Sequence, residues 1–463
     1  MRASAINIKN AMESERIKKP ILSELKSPLL VITKILQTTA YQHFFSKISQ
    51  SGFLLFGSAI IAFIWSNVNA EGYNHFWHQQ VAFSFAGHIL SHTLVHWIND
   101  GLMTVFFLTV GLEIKREFLV GGLSDPRRAA LPIAAAVGGM VFPALIYLFF
   151  NLGTESVSGW GIPMATDIAF SLAVLSTLGK RVPFGLRLFL TAFAIADDLG
   201  AIMVIAIFYT PSLNLMALSI AGLITCALWG LNYFGVRHSS VYIFFCIILW
   251  FAAAKAGLHP TIAGVVTAMF IPATGRYNTD LFLQMVSKRL EDIKCQDGTC
   301  GESILVNRSH QSAVQEIKLS CKAVETPLQL LEHNLSSWVG YLVLPLFAMA
   351  NAGITLAGLD PTAALFDPIT LGISMGLVVG KPLGIIIFTY GIAGILKTDL
   401  IQGTSWTQIF GAGLLGGIGF TMSLFISNLS FADALHLEYA KIGIIIGSFI
   451  SAAAGYALLR WAK

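Results

Sequence analysis

Apolar residues in this chain come in long unbroken runs, not at the alternating or striped spacing of a water-soluble fold. Twelve such runs lie near 51–68, 94–112, 129–150, 162–179, 184–209, 214–234, 240–255, 258–273, 335–354, 369–392, 405–428 and 437–461. A hydrocarbon layer about 30 Å thick needs about 20 apolar residues at about 1.5 Å each. The pattern therefore predicts an all-α polytopic membrane protein with twelve transmembrane helices, those near 162–179, 240–255 and 258–273 being short. The polar remainder divides the chain into an N-terminal extension (1–48), eight spans (49–273), a cytoplasmic loop insertion (274–334) and four more spans (335–463). Within the extension, 21–37 reads either as an amphipathic segment at the interface or as a disordered tail. VAFSFAGHIL (81–90) alternates in part and predicts a short extracellular strand. The loop ends in a helix that enters the ninth span near Glu332.

Composition agrees: 55% of the 463 residues are apolar, 12% are charged, and the mean hydropathy is +0.71. If the spans alternate as counted, 26 of the 29 Lys and Arg residues fall on one side, with Lys255, Lys381 and Lys441 the exceptions. The positive-inside rule then places both termini in the cytoplasm. The formal charge of +4 is thus a matter of topology; no basic, aromatic-interleaved patch suggests nucleic acid. The first apolar run starts too late for a cleavable signal peptide. CQDGTC (295–300) lacks the spacing of a zinc knuckle, and free thiols are expected. His88, His92, His96 and Asp100 are four apart. They would form one stripe on a helix, either a metal site or a solvated entry face, but a strand at 81–90 breaks the stripe.

Four ionisable groups sit at membrane depth: Asp167, Asp197, Asp198 and Lys381. Asp197 and Asp198 cost about 5–7 kcal/mol together at a helix centre, against about 3–6 returned by ten Leu, Ile, Val and Phe residues in 186–205. The segment inserts only marginally, so the acids need a reason. Adjacent helical residues point about 100° apart, so the pair can flank a cavity from one wall. Carboxylates are hard ligands for small cations, and two held close in a low dielectric also take up protons. Competition between cation and proton is exchange. Alternatively, the acids pair with Lys381 in a bundle core.

Two spans look interrupted. GIPMATDIAFSLAV (161–174) has Pro163 early and a Thr-Asp pair at depth, and GAGLLGGIGFTMS (411–423) has five glycines in nine residues. Interrupted segments in corresponding halves point to a transporter binding site, although small residues also serve tight helix packing. Broken helices expose N-terminal and C-terminal dipole ends, which an Asp and a Lys would respectively compensate.

GLEIKREF, ATDIAFSLAVL, LTAFAIADDLGAI, LPLFAMANAG, VVGKPLGI and GGIGFTMSLFIS, in that order along the chain, resemble the NhaA family of bacterial sodium/proton antiporters from about residue 50 onward. The resemblance implies inverted-topology repeats, with two interrupted helices crossing at the membrane midplane. It also implies electrogenic exchange of Na+ or Li+ leaving the cell for H+ entering, with no cofactor, no enzymatic activity and a role in regulating intracellular pH and sodium. It makes Asp197 and Asp198 the Na+, Li+ and proton site. Thr166 and Asp167 would lie at the helix crossing, and Lys381 would compensate dipoles or pair with an acid. Glu113, Lys115, Arg116, Glu117, His259, Glu332 and His333 correspond to a pH-response region, a set that could equally be charged helix ends. A homodimer in lipid is implied, with 69–93 as a plausible contact. The rival transport readings are a proton-coupled carrier for another cation, such as potassium, or a selective channel. An intramembrane aspartyl protease would need carboxylates facing across a water site, and Asp167 lacks the GxGD setting of those enzymes.

Overall fold

The computed structural model describes residues 51–85, 88–209, 213–275, 279–293, 308–356, 360–397 and 403–462. The expectations for 1–48 and for CQDGTC lie outside these residues.

In chain order the helices are α1 (Ser51–Val68), α2 (Ala70–Trp77), α3 (Leu94–Val120), α4 (Pro126–Asn151), α5 (Ile168–Thr177), α6 (Phe184–Phe208), α7 (Leu215–Tyr233), α8 (Ser239–Ala256) and α9 (Ile262–Phe270). There follow α10 (Thr279–Ile293), α11 (Arg308–Val324), α12 (Pro327–Trp338), α13 (Leu344–Asn351), α14 (Pro361–Phe366), α15 (Pro368–Leu396), α16 (Trp406–Gly416), α17 (Phe420–Ser430) and α18 (Ala434–Trp461). A 3-10 segment, Glu155–Met164, precedes α5. Among the described residues, eight helices are long and apolar enough to cross a membrane. The 3-10 segment with α5, bent by 43°, and α16 with α17, bent by 46°, pass the same test as pairs. These ten match ten of the expected runs. The other two also form helix: α9, which is short, and α12 running through a π-helical turn, Val339–Val343, into α13.

Local chemistry accounts for the boundaries. Asp125 and Asp433 cap α4 and α18 by accepting from Arg127 N and His436 N. Ser405 and Gln408 form a reciprocal capping box at α16, which satisfies two otherwise orphaned N–H groups. Gly257, at φ 82°, closes α8 in the left-handed region.

Two expectations need correcting. The strand expected over 81–90 is a hairpin: β1 (Gln80–Phe85) pairs antiparallel with β2 (His88–Thr93), Gln80 opposite Thr93. The alternation in 81–90 came from parts of two paired strands, so one strand was too simple a reading. The loop insertion, expected to hold a helix only at its end, also contains α10 and α11, packed on each other and joined by an Arg289–Glu316 ion pair at 2.5 Å. Their apolar positions recur at helical spacing, a signal that low overall hydrophobicity obscured.

Hydrophobic burial drives little helix association inside lipid, so close approach matters more. The most extensive helix pairing is between α4 and α15, where Gly138 and Gly384 meet back to back. A Cβ on Gly138 would stand 2.1 Å from the Gly384 carbonyl oxygen, and the converse contact would be 2.0 Å. Any side chain there would force α4 away from α15, the helix that carries Lys381.

Candidate functional site

The two bent pairs break at 165–167 and 417–419, and the breaks touch. Asp167 N donates to Ile418 O at 2.7 Å, Thr166 Oγ1 to Gly416 O at 2.8 Å and Ser171 Oγ to Leu415 O at 2.8 Å. The Gly416 and Ile418 carbonyls, at and beyond the end of α16, thus find donors on the first chain break, and Leu415 O gains a second donor from α5.

Asp167 serves two helix starts at once. One carboxylate oxygen accepts from Phe170 N at 2.9 Å, in the first turn of α5; the other accepts from Thr421 N at 3.1 Å and Thr421 Oγ1 at 2.6 Å, in the first turn of α17. Two N-terminal partial positive charges thus converge on one buried anion. Ser448 Oγ, from α18, accepts from Gly419 N and Phe420 N, both at 3.2 Å. Thr421 and Ser448 escaped the sequence reading because hydroxyls are common in packed helices; only the position of Thr421 just after the glycine run marks it.

Lys381 is fully buried. It enters from the turn of α15 that follows a π-helical segment, Gly376–Gly380. Its ammonium donates to Met164 O, the carbonyl that ends the 3-10 segment, and to Asp197 Oδ2 at 2.7 Å. It thus meets a negative helix end and a carboxylate together, while the Phe193 ring centroid lies 5.9 Å away.

Asp197 and Asp198 are 0% and 1% exposed, on the middle of α6. Only Oδ2 of Asp197 is bonded. Among the described residues, Asp197 Oδ1 and both oxygens of Asp198 have no hydrogen-bond partner. A buried ionised carboxylate without partners is costly. It calls for a cation or a proton, and the hard oxygen donors suit an alkali ion.

A cavity of about 140 Å³ reaches toward this crossing, lined by Asp167, Ile168, Ala169 and Thr421 at one end and by Glu113, Arg116 and Glu332 at the other. Residues 42–459 of the chain match the family model "Na+/H+ antiporter 1". The chain belongs to the NhaA family of Na+/H+ antiporters. It is 43% identical over 422 residues to "Na(+)/H(+) antiporter NhaA" of Oleidesulfovibrio alaskensis, covering 91% of this chain and 93% of that one. It is 44% identical over 420 residues to "Na(+)/H(+) antiporter NhaA 2" of Helicobacter hepaticus (90% and 94%), and 42% identical over 445 residues to the NhaA antiporter of Phocaeicola vulgatus (94% and 98%).

The residues resembling the NhaA pH-response region divide into three places. Glu113, Arg116 and Glu332 share the cavity mouth, with Arg116 2.5 Å from Glu332 and 3.1 Å from Glu117. Burial pushes the Glu332 carboxyl up from its ordinary value, while Arg116 opposes the shift. Glu117 also accepts from Gly122 N at 2.8 Å. Lys115 points elsewhere, donating to Met269 O at 2.6 Å and Ile271 O at 2.5 Å at the end of α9. His333, next to Glu332, is exposed. His259 lies across the protein, with Nδ1 2.6 Å from Thr261 Oγ1 and Nε2 4.0 Å from Asp100.

The His–Asp stripe is split between strand and helix. His92 and His96 stack with centroids 4.2 Å apart, and His96 reaches Asp100 at 3.4 Å. Among the described residues no three His, Cys, Asp or Glu side chains are grouped to hold a metal ion.

Proposed function

We propose that this chain is an electrogenic secondary transporter that exports Na+, or Li+, in exchange for H+ by alternating access. Cation and protons compete for Asp197 and Asp198. The observation that carries this reading is the buried Asp198 carboxylate, which lacks a partner beside an Asp197 that is already engaged by Lys381. When a cation takes the site, the pair is neutralised without protons; when it leaves, protons do the same work. Lys381 holds Asp197 and the Met164 carbonyl together, so cation entry near Asp197 competes with its ammonium. Asp167 and Thr166 keep the crossing assembled while the surrounding helices move.

The wider architecture in this proposal has twelve spans, with α9 and the α12–α13 helix counted as short or polar crossings. The interrupted pairs occupy equivalent places in two inverted repeats at the midplane. The charge asymmetry of the connections supports cytoplasmic termini in a bacterial inner membrane. The β1–β2 hairpin offers an exposed edge for a homodimer. Glu113, Arg116 and Glu332 at the cavity mouth would respond to cytoplasmic pH, and the activity would regulate internal sodium and pH.

The test is proton flux in everted vesicles from an antiporter-deficient bacterium. Respiration acidifies the lumen, and Na+, Li+ or K+ is then added from mildly acidic to alkaline pH. Na+ should release the stored protons, and Asp197→Asn and Asp198→Asn should abolish that release while still inserting. Silence toward Na+ at every pH would overturn the proposal; a response to K+ alone would reassign the cation.

A further inference from the structure

A second cavity, of about 760 Å³, lies on the hairpin side of the protein, lined in part by Asn99, Asp100, His259, Asn351 and Asn428. The same three helical walls line both cavities. From α3, Phe106, Thr109, Val110, Glu113 and Arg116 face the inner one, and Asn99 and Asp100 the outer. From α12–α13, Glu332 and Leu344 face the inner, Ala350 and Asn351 the outer. From α17, Thr421 and Met422 face the inner, Phe425 and Asn428 the outer. At about 1.5 Å per residue, the wall on α17 between Met422 and Phe425 is only about 5 Å thick.

A plug of three almost fully buried rings fills that wall. Phe425 packs against Phe107 and Phe347 with centroids 5.4 and 6.3 Å apart. Directly outside it, three amides are tied together. Asn351 exchanges two hydrogen bonds with Asn99, at 3.1 and 2.8 Å; its Oδ1 also accepts from Asn428 at 2.9 Å, and its Nδ2 donates to Phe347 O at 2.9 Å. All four hydrogen-bonding positions of the Asn351 amide are filled. Asn428 also donates to Leu424 O at 2.9 Å, so the knot anchors the turns that carry Phe347 and Phe425.

We propose that Asn99, Asn351 and Asn428 are the latch of the outer gate, and that parting them is the step that admits the outer cavity to the Asp197–Asp198 site. The proposal rests on the exchange reading for the direction of transport, but not for the latch itself. Amides suit the task. They lock three helices by directional bonds without a charge that would trap a passing cation, and once parted their oxygens can be solvated by the cavity. Asn99 comes from a π-helical turn, Trp97–Leu102, where α3 departs from regular helix; such turns recur at functional positions.

Labelling tests this apart from transport. Ala169 lines the inner cavity, so Ala169→Cys, in protein whose five native cysteines are replaced, reports access through the plug to a membrane-impermeant cationic thiol reagent. Added from outside, the reagent should modify that cysteine about tenfold faster in Asn351→Ala and about threefold faster in Asn428→Ala, which loses fewer bonds. Labelling from inside should fall in step, because the outward population grows at the expense of the inward one. Equal rises from both faces would mean general loosening and overturn the latch. So would unchanged outside labelling in both Asn99→Ala and Asn428→Ala, the variants that decide the matter if Asn351→Ala does not reach the membrane. Repeating the experiment with Asp198→Asn separates the two proposals, since the latch should still open when exchange is absent.

Discussion

Asp167 and Asp198 share a burial depth and a formal charge, and they differ in everything that decides what a buried charge does. Asp167 accepts three hydrogen bonds from the starts of two helices, so the backbone supplies its counter-charge. Among the described residues Asp198 accepts none, and the nearby Lys381 ammonium is committed to Asp197 and to Met164 O. A satisfied carboxylate stabilises the fold and leaves nothing for a ligand. One without partners destabilises the fold and keeps that free energy for whatever neutralises it. The crossing is thus the rigid frame and the α6 pair the variable charge.

Making Asp198 neutral should break this comparison most visibly. Asp198→Asn should lower Na+-driven proton flux by at least about 100-fold, since the amide can neither carry the proton nor balance the cation. Its thermal stability in detergent should equal or exceed that of the parent, because an uncompensated buried charge is gone. A stable, active variant would remove Asp198 from the site, and an unstable one would mean that it holds the fold.

Lys381→Met comes next. It strands Asp197 without its counter-charge and should cost about 3–5 kcal/mol. Adding Asp197→Asn in the same chain should recover most of that loss, measurable as a double-mutant cycle in thermal unfolding. If the two losses simply add, the Lys381–Asp197 contact is not energetically coupled. Asp167→Asn should follow at about 2–4 kcal/mol, because it withdraws the anion from two helix starts. Unlike Asp198→Asn it should show this as lost stability first, and Asp167→Asn protein as stable as the parent would erase the distinction between frame and site.

Ten candidate spans were legible because each is a run of apolar residues, and the two interruptions because Pro163 and the 411–419 glycines weaken a helix. The acids were legible by cost: an Asp pair in a marginal segment stands out. Partnership was not. Nothing in the composition of α6 says that Lys381 selects Asp197 over Asp198, since the choice follows from the π-helical turn before Lys381 and from the approach of α15 at Gly138 and Gly384. The amide knot stayed hidden for the same reason. Asn99, Asn351 and Asn428 are scattered polar residues until three helices bring them together. Lys115 and His259 show the converse: resemblance assigns them to one pH-response region with Glu113 and Glu332, but neither lines the cavity that those acids share.

The smallest effect tests the rim of the frame. Burial raises the Glu332 carboxyl while Arg116 holds it back, so it ionises at higher pH than an ordinary carboxylate. Glu332→Gln fixes the neutral form. It should therefore match the parent at acidic pH and depart from it as pH rises, where the parent gains an anion beside the cavity mouth and the variant does not. The expected departure is about two- to fivefold in the Na+ concentration for half-maximal flux, the scale of a single partly screened charge that recruits cations to a mouth. A weaker response of equal size at every pH would assign Glu332 to holding Arg116 in place. An unchanged response throughout would leave the charge of the mouth to Glu113 and Glu117 and separate the rim from the exchange site.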